Sequence, residues 1–188
     1  MSPFEYLSVL VSIIVGLGLS HLLTGAARLI QMRRRVRIYL PTCIWIVILL
    51  LIQIQIWWAA YEGRNEDQWT FFGFFTFLLL PIFAALLSYL LVPDLEGEHH
   101  EMDLRVSFME NRAWLHGLLG LIAFTSLTAD LVEDGAAALD LDAAFRAGFL
   151  ALTVVAARNR SERFQLAYAL CILGLFCTYV AVLFVQLP

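Results

Sequence analysis

Lysine is missing from this chain. All 12 basic residues among its 188 are arginines, running from Arg28 to Arg163. That excludes Schiff-base chemistry on the protein, retinal attachment included, and any lysine nucleophile. Charge of either sign is scarce: only 15% of residues are charged, where soluble domains carry about a quarter. Cysteine is rare too. Cys43, Cys171 and Cys177 sit in apolar runs with no CxxC pair, which reads as small packing residues and not as ligands or disulfides. No phosphate-binding glycine loop, GxGxxG, HExxH or GxSxG is present. The expectation is therefore a protein that is not an enzyme. No patch alternates basic and aromatic residues as a nucleic-acid surface would, so no nucleic-acid partner is expected.

What the chain has in excess is apolar surface. Hydrophobic residues make up 61% of it, and the mean hydropathy is +0.80. A chain of this length makes one domain. A bilayer core needs about 20 apolar residues per helix. On that basis we expect an all-α, six-helix transmembrane bundle with spans near 6–30, 39–61, 69–92, 112–132, 143–157 and 164–187, and a cytoplasmic loop at 93–111. The fifth span is short and has Arg146 near its start. The amino terminus, Met-Ser-Pro-Phe-Glu, has no basic region ahead of the first apolar run. That run is also too long for a signal peptide, so it is expected to be retained.

Orientation follows from the arginines. The first connection contains Arg33, Arg34, Arg35 and Arg37, and the fifth contains Arg158, Arg160 and Arg163. Short arginine-rich loops stay cytoplasmic. With six spans both termini face outward, in a plasma membrane and most simply a bacterial inner membrane. Acids then collect on the outer side, with Glu5, Glu133 and Asp134 at its mouth. The basic cluster at Arg33–Arg37 is explained by topology and by anionic lipid head groups. Three helices on either side of the 93–111 loop also have the arrangement of an inverted repeat.

The first span carries a ladder: Ser8, Ser12, Gly16, Ser20 and Thr24, four residues apart on a helix otherwise rich in Leu, Ile and Val. Small residues at this spacing let membrane helices approach closely. The last span adds Ala167, Cys171, Gly174, Thr178 and Ala181. Two such helices point to a homo-oligomer or a narrow polar path.

Ionisable residues inside spans are functional candidates. His21 and His116 lie at similar depth in the first and fourth spans. Thr24 and Arg28 share the face of His21, while Gly120 and Asp130 line up with His116. Three roles suit this pair: lining a pore or cavity where an imidazole relays protons, holding a b-type haem between facing rings, or hydrogen bonding between helices. In the 93–111 loop, Glu96 with His100 and His99 with Asp103 fall at i, i+4, a donor set suited to a divalent metal. Pro81 interrupts the third span. Gln53 and Gln55 interrupt the second and point to opposite sides, so at least one must face protein.

Taken together, the residues suggest a small channel or transporter for a cation or proton, with a path lined by the first and fourth helices and no cofactor. The alternatives are a haem electron-transfer protein, or a non-catalytic assembly or signalling subunit. Membrane lipid is the expected surrounding partner.

Overall fold

A computed structural model describes residues 3–61, 70–93, 102–133 and 141–183. The described residues form six helices: α1 (Pro3–Gln31), α2 (Leu40–Ala60), α3 (Phe71–Leu91), α4 (Leu104–Glu133), α5 (Leu141–Arg158) and α6 (Glu162–Leu183). The fold is all-α. Four helices, α1, α2, α3 and α6, are long and apolar enough to cross a membrane. The chain is thus a membrane-embedded protein by the length and composition of those helices.

The helices begin and end where local chemistry dictates. Pro41 opens α2, at a position where its missing N–H costs nothing. The Thr70 hydroxyl accepts from the Gly73 N–H at 3.1 Å and caps α3. Pro81 stays inside α3, which remains helical through Leu91. Helix α4 departs from expectation by starting at Leu104, well inside the segment assigned to a loop. Its apolar stripe, Leu104, Phe108, Leu115 and Leu119, is buried at helical spacing. Arg105, Glu110 and Arg112 depress the hydropathy of the same stretch and hide the helix from a search for apolar runs.

Helix α1 packs on α3 and α2. Helix α3 continues the row to α4, and α4 to α5. Helix α6 lies against α2 and α5. The core runs through these seams, with Leu22, Trp45, Ile48, Leu49, Leu87 and Leu119 almost fully buried.

A short clasp gathers one end of the bundle. Strand β1 (Val36–Arg37) pairs in parallel with β2 (Met102–Asp103), and Val36 lies opposite Met102. Each strand feeds a helix, so α2 and α4 start side by side. The Arg37 guanidinium meets the Asp103 carboxylate at 3.5 Å, and Arg105 pairs with Glu162 at the start of α6. The same end receives the last turns of α1, α3 and α5.

Candidate functional site: two polar seams at one end of the bundle

The first seam joins α1 to α3 and α2. Its contact face is Val11, Val15, Gly18, Leu22, Gly25 and Leu29, all buried, with the alternating four-three spacing of a helix seam. The glycines permit close approach. A Cβ on Gly18 would lie 2.1 Å from Gln53 Nε2, and one on Gly25 would lie 2.4 Å from Val92 Cγ1. Gln53 is fully buried and donates through Nε2 to Ser88 Oγ at 2.9 Å. Ser88 Oγ in turn donates to the Ala84 carbonyl at 2.9 Å. Gln53 is therefore the amide of the second span that faces protein.

His21 belongs to this seam. Its Nε2 donates to the Val92 carbonyl at 3.1 Å, and its ring stacks on Tyr89 with centroids 4.0 Å apart. Val92 is the C-cap residue of α3. The terminal carbonyls of a helix have no partner within the helix, and in a bilayer they need one from the protein. His21 supplies it.

The second seam joins α4, α5, α6 and α2 around His116. Gln165 Nε2 donates to two carbonyls, Ala156 at 3.0 Å and Asn159 at 2.8 Å. That fixes which end of the carboxamide is oxygen. Gln165 Oε1 must then accept, so His116 Nε2 donates to it at 3.0 Å. In the neutral ring the lone pair is consequently on Nδ1. His116 is boxed in by Trp45, Phe108 and Tyr168, with ring centroids 5.9, 6.5 and 5.2 Å away. The Tyr168 and Thr153 hydroxyls share a bond at 2.8 Å. Arg112 Nε donates to the Ala157 carbonyl at 3.3 Å. Tyr39 Oη, Thr42 Oγ1, Trp45 Nε1 and His116 Nδ1 are buried and find no hydrogen-bond partner among the described residues.

The two seams share one logic. Helices α1, α3 and α5 all finish at the clasped end. Arg33 caps the Ile30 carbonyl at 3.1 Å, His21 caps Val92, and Arg112 with Gln165 caps Ala157 and Ala156. Positive and N–H-bearing side chains suit the negative end of a helix. His21 and His116, which stood out in the spans, are in this fold a cap for a neighbouring helix and a prop for such a cap.

This places the expected pair differently. Helices α1 and α4 are not a packed pair, because α3 stands between them. His21 engages α3, and His116 engages α6 and α2. The two rings sit in different seams, and each commits its Nε2 to a protein oxygen. The physical reason is seam geometry: the four-three rhythm through Gly18 and Gly25 turns α1 toward α2 and α3. The same rhythm turns the ladder outward. Ser8 is half-buried, while Ser12, Gly16, Ser20 and Thr24 are exposed. A Cβ on Gly16 would meet nothing within 4 Å. Arg28 is half-buried on the same helix. Gly120 lies at the α4–α5 seam, where an added Cβ would touch Leu150 at an ordinary 3.6 Å.

Of the other expected positions, Glu5 is exposed in the first turn of α1. Asp130 and Glu133 belong to the end of α4. Asp134, Glu96, His99 and His100 lie outside the described residues. Asp103, the fourth expected metal ligand, bonds Arg37 and accepts from the Arg105 backbone N–H at 2.9 Å. Among the described residues, no three His, Cys, Asp or Glu side chains group as a metal site. Cys171 and Cys177 are exposed on α6, whereas Cys43 is partly buried.

Sequence reading missed Gln165, Trp45 and the Gly18–Gly25 seam. Gln165 had a signal: an amide one turn into an apolar helix demands a partner. The seam had one also, in glycines seven residues apart. No family model, curated protein or solved structure matches this chain.

Proposed function

We propose that this protein is a membrane assembly subunit, which acts by presenting the outward ladder of α1 to another apolar, small-residue helix, most simply α1 of a second copy. One observation carries the reading. The ladder positions Ser12, Gly16, Ser20 and Thr24 are all exposed on a helix whose own subunit uses the opposite glycine seam. An outward glycine in a helix costs about 1 kcal/mol against alanine, and close backbone packing against a neighbour offsets that cost. All six helices span in this reading, both termini lie outside, and the clasped, arginine-rich end faces the cytoplasm. Support comes from the gathering of the ends of α1, α3 and α5 with the starts of α2, α4 and α6, as alternate crossings require. A bacterial inner membrane is the simplest setting.

A second reading uses the same face. In a ring of subunits centred on α1, the hydroxyls of Ser12, Ser20 and Thr24 would line a narrow path for a cation or proton. The path then runs between subunits, not between α1 and α4 of one.

The test is the mass of the purified protein in detergent and in nanodiscs, for the wild type and for Gly16→Leu with Ser20→Leu. The wild type should be oligomeric. The double variant should dissociate and keep the thermal midpoint of its subunit. A wild type that is monomeric at every concentration removes the assembly reading. An oligomer whose ion flux in liposomes is abolished by the same variant favours the path.

A further inference from the structure

The turn that leaves α1 is unusually basic for its surroundings. No acid occurs between Glu5 and Glu62. Within that stretch Arg28, Arg33, Arg34, Arg35 and Arg37 fall inside ten residues. Some of this charge is already used. Arg33 bonds the Ile30 carbonyl, and Arg37 meets Asp103. The end of α1 carries roughly half a negative charge, which a single arginine satisfies. Arg34 and Arg35 remain exposed and make no ion pair among the described residues.

The turn is also concave. Arg35 and Val36 both donate backbone N–H groups to the Met32 carbonyl, at 2.7 and 3.1 Å. This folds residues 32–35 into a tight curl. Gln31, Met32, Arg33, Arg34 and Arg35 line an open hollow of about 370 Å³. Flanking the turn in sequence are three exposed apolar side chains: Ile30, 68% exposed, Ile38, 55%, and Leu40, 57%. Charge and grease therefore lie next to each other at the point where α1 and α2 enter the apolar layer.

We infer that the 32–35 turn binds the phosphate of an anionic phospholipid, held by the forks of Arg34 and Arg35, with its acyl chains along Ile30, Ile38 and Leu40. The inference rests on the membrane embedding of α1 and α2 and not on the assembly reading. Guanidinium groups match phosphate with two parallel hydrogen bonds, which an ammonium does not. A chain that uses no lysine anywhere has only forks to offer. A free phosphate would satisfy the arginines and leave the apolar flank unused, so the lipid is the ligand that fits both parts.

The experiment is native mass spectrometry of the protein purified in detergent and incubated with equal amounts of phosphatidylcholine and phosphatidylglycerol. The wild type should retain phosphatidylglycerol selectively. The double variant Arg34→Lys, Arg35→Lys keeps the charge and the insertion signal but loses the forks, and its selective retention should fall by about five-fold or more. Ile38→Ser with Leu40→Ser should also lower retention while leaving the arginines intact. Equal retention of the two lipids by the wild type would overturn the inference. So would a lysine variant indistinguishable from wild type, since charge alone would then suffice, or displacement of the lipid by millimolar inorganic phosphate. None of these outcomes depends on the oligomeric mass, so the two readings fail separately.

Discussion

The two halves of the bundle hold themselves together by different means. Helices α1, α2 and α3 are strongly apolar, and all three pass as membrane spans. They close by backbone proximity at Gly18 and Gly25, with the Gln53–Ser88 bond between them. Helices α4 and α5 fall short of that apolar standard. They close with α6 through side-chain hydrogen bonds: His116 to Gln165, Tyr168 to Thr153, and Arg112 to a carbonyl of α5. Near the other end, Arg146 pairs with Asp142 and donates to Ser126 Oγ at 2.7 Å. In lipid, water expulsion does not drive helices together, which leaves packing and polar bonds as the two adhesives. Both halves use both, but close approach at glycines distinguishes the first and a chain of side-chain bonds the second.

The contrast predicts a graded series, read as the thermal midpoint of the detergent-solubilised subunit. The largest loss should come from the first half. Gly18→Val drives a branched side chain into the space of Gln53 and should cost about 3 kcal/mol, the upper range of overpacking. Next is the second half's central amide. Gln165→Leu strands His116 and two carbonyls, and about 2 kcal/mol should follow from the unmade bonds. Smaller still is Thr153→Val, which keeps the shape and removes the Tyr168 partner, for about 1 kcal/mol. At the bottom is Gly117→Ala on the outer face of α4. An added Cβ there meets nothing within 4 Å, so stability should rise by up to about 1 kcal/mol through helix propensity. If Gly18→Val proved milder than Thr153→Val, the division between the halves would collapse.

The same contrast explains what the sequence disclosed. Helix type, and the approximate place of α1, α2, α3 and α6, follow from apolar length, because the bilayer imposes it. The start of α4 did not, because burial there is a stripe and not a run. Its first turns carry Arg105, Glu110 and Arg112 beside Leu104 and Phe108. The candidate site was legible as a set of residues and illegible as a set of partners. His21 and His116 were conspicuous because charge in a span is costly. Their meeting was inferred from depth alone, and depth says nothing about rotation around the helix axis. The most regular pattern in the chain, the ladder on α1, marked the side facing away from the subunit. The quieter pattern, two glycines seven apart, marked the side facing in. Regular spacing shows that a face exists, and the close contacts show which partner it serves.

The pairing of Val36–Arg37 with Met102–Asp103 also constrains biogenesis. Its partners are separated by the entire α2–α3 hairpin. During synthesis the first connection must wait unpaired until α2 and α3 have been made and Met102 has been delivered. Only then does the first connection acquire its neighbour, and α4 departs immediately afterwards from that junction. A chain arrested before Met102 would keep its first connection open to protease, and one arrested after α4 had emerged would protect it. This two-residue strand pair would thus time the transition from separate helices to a joined bundle.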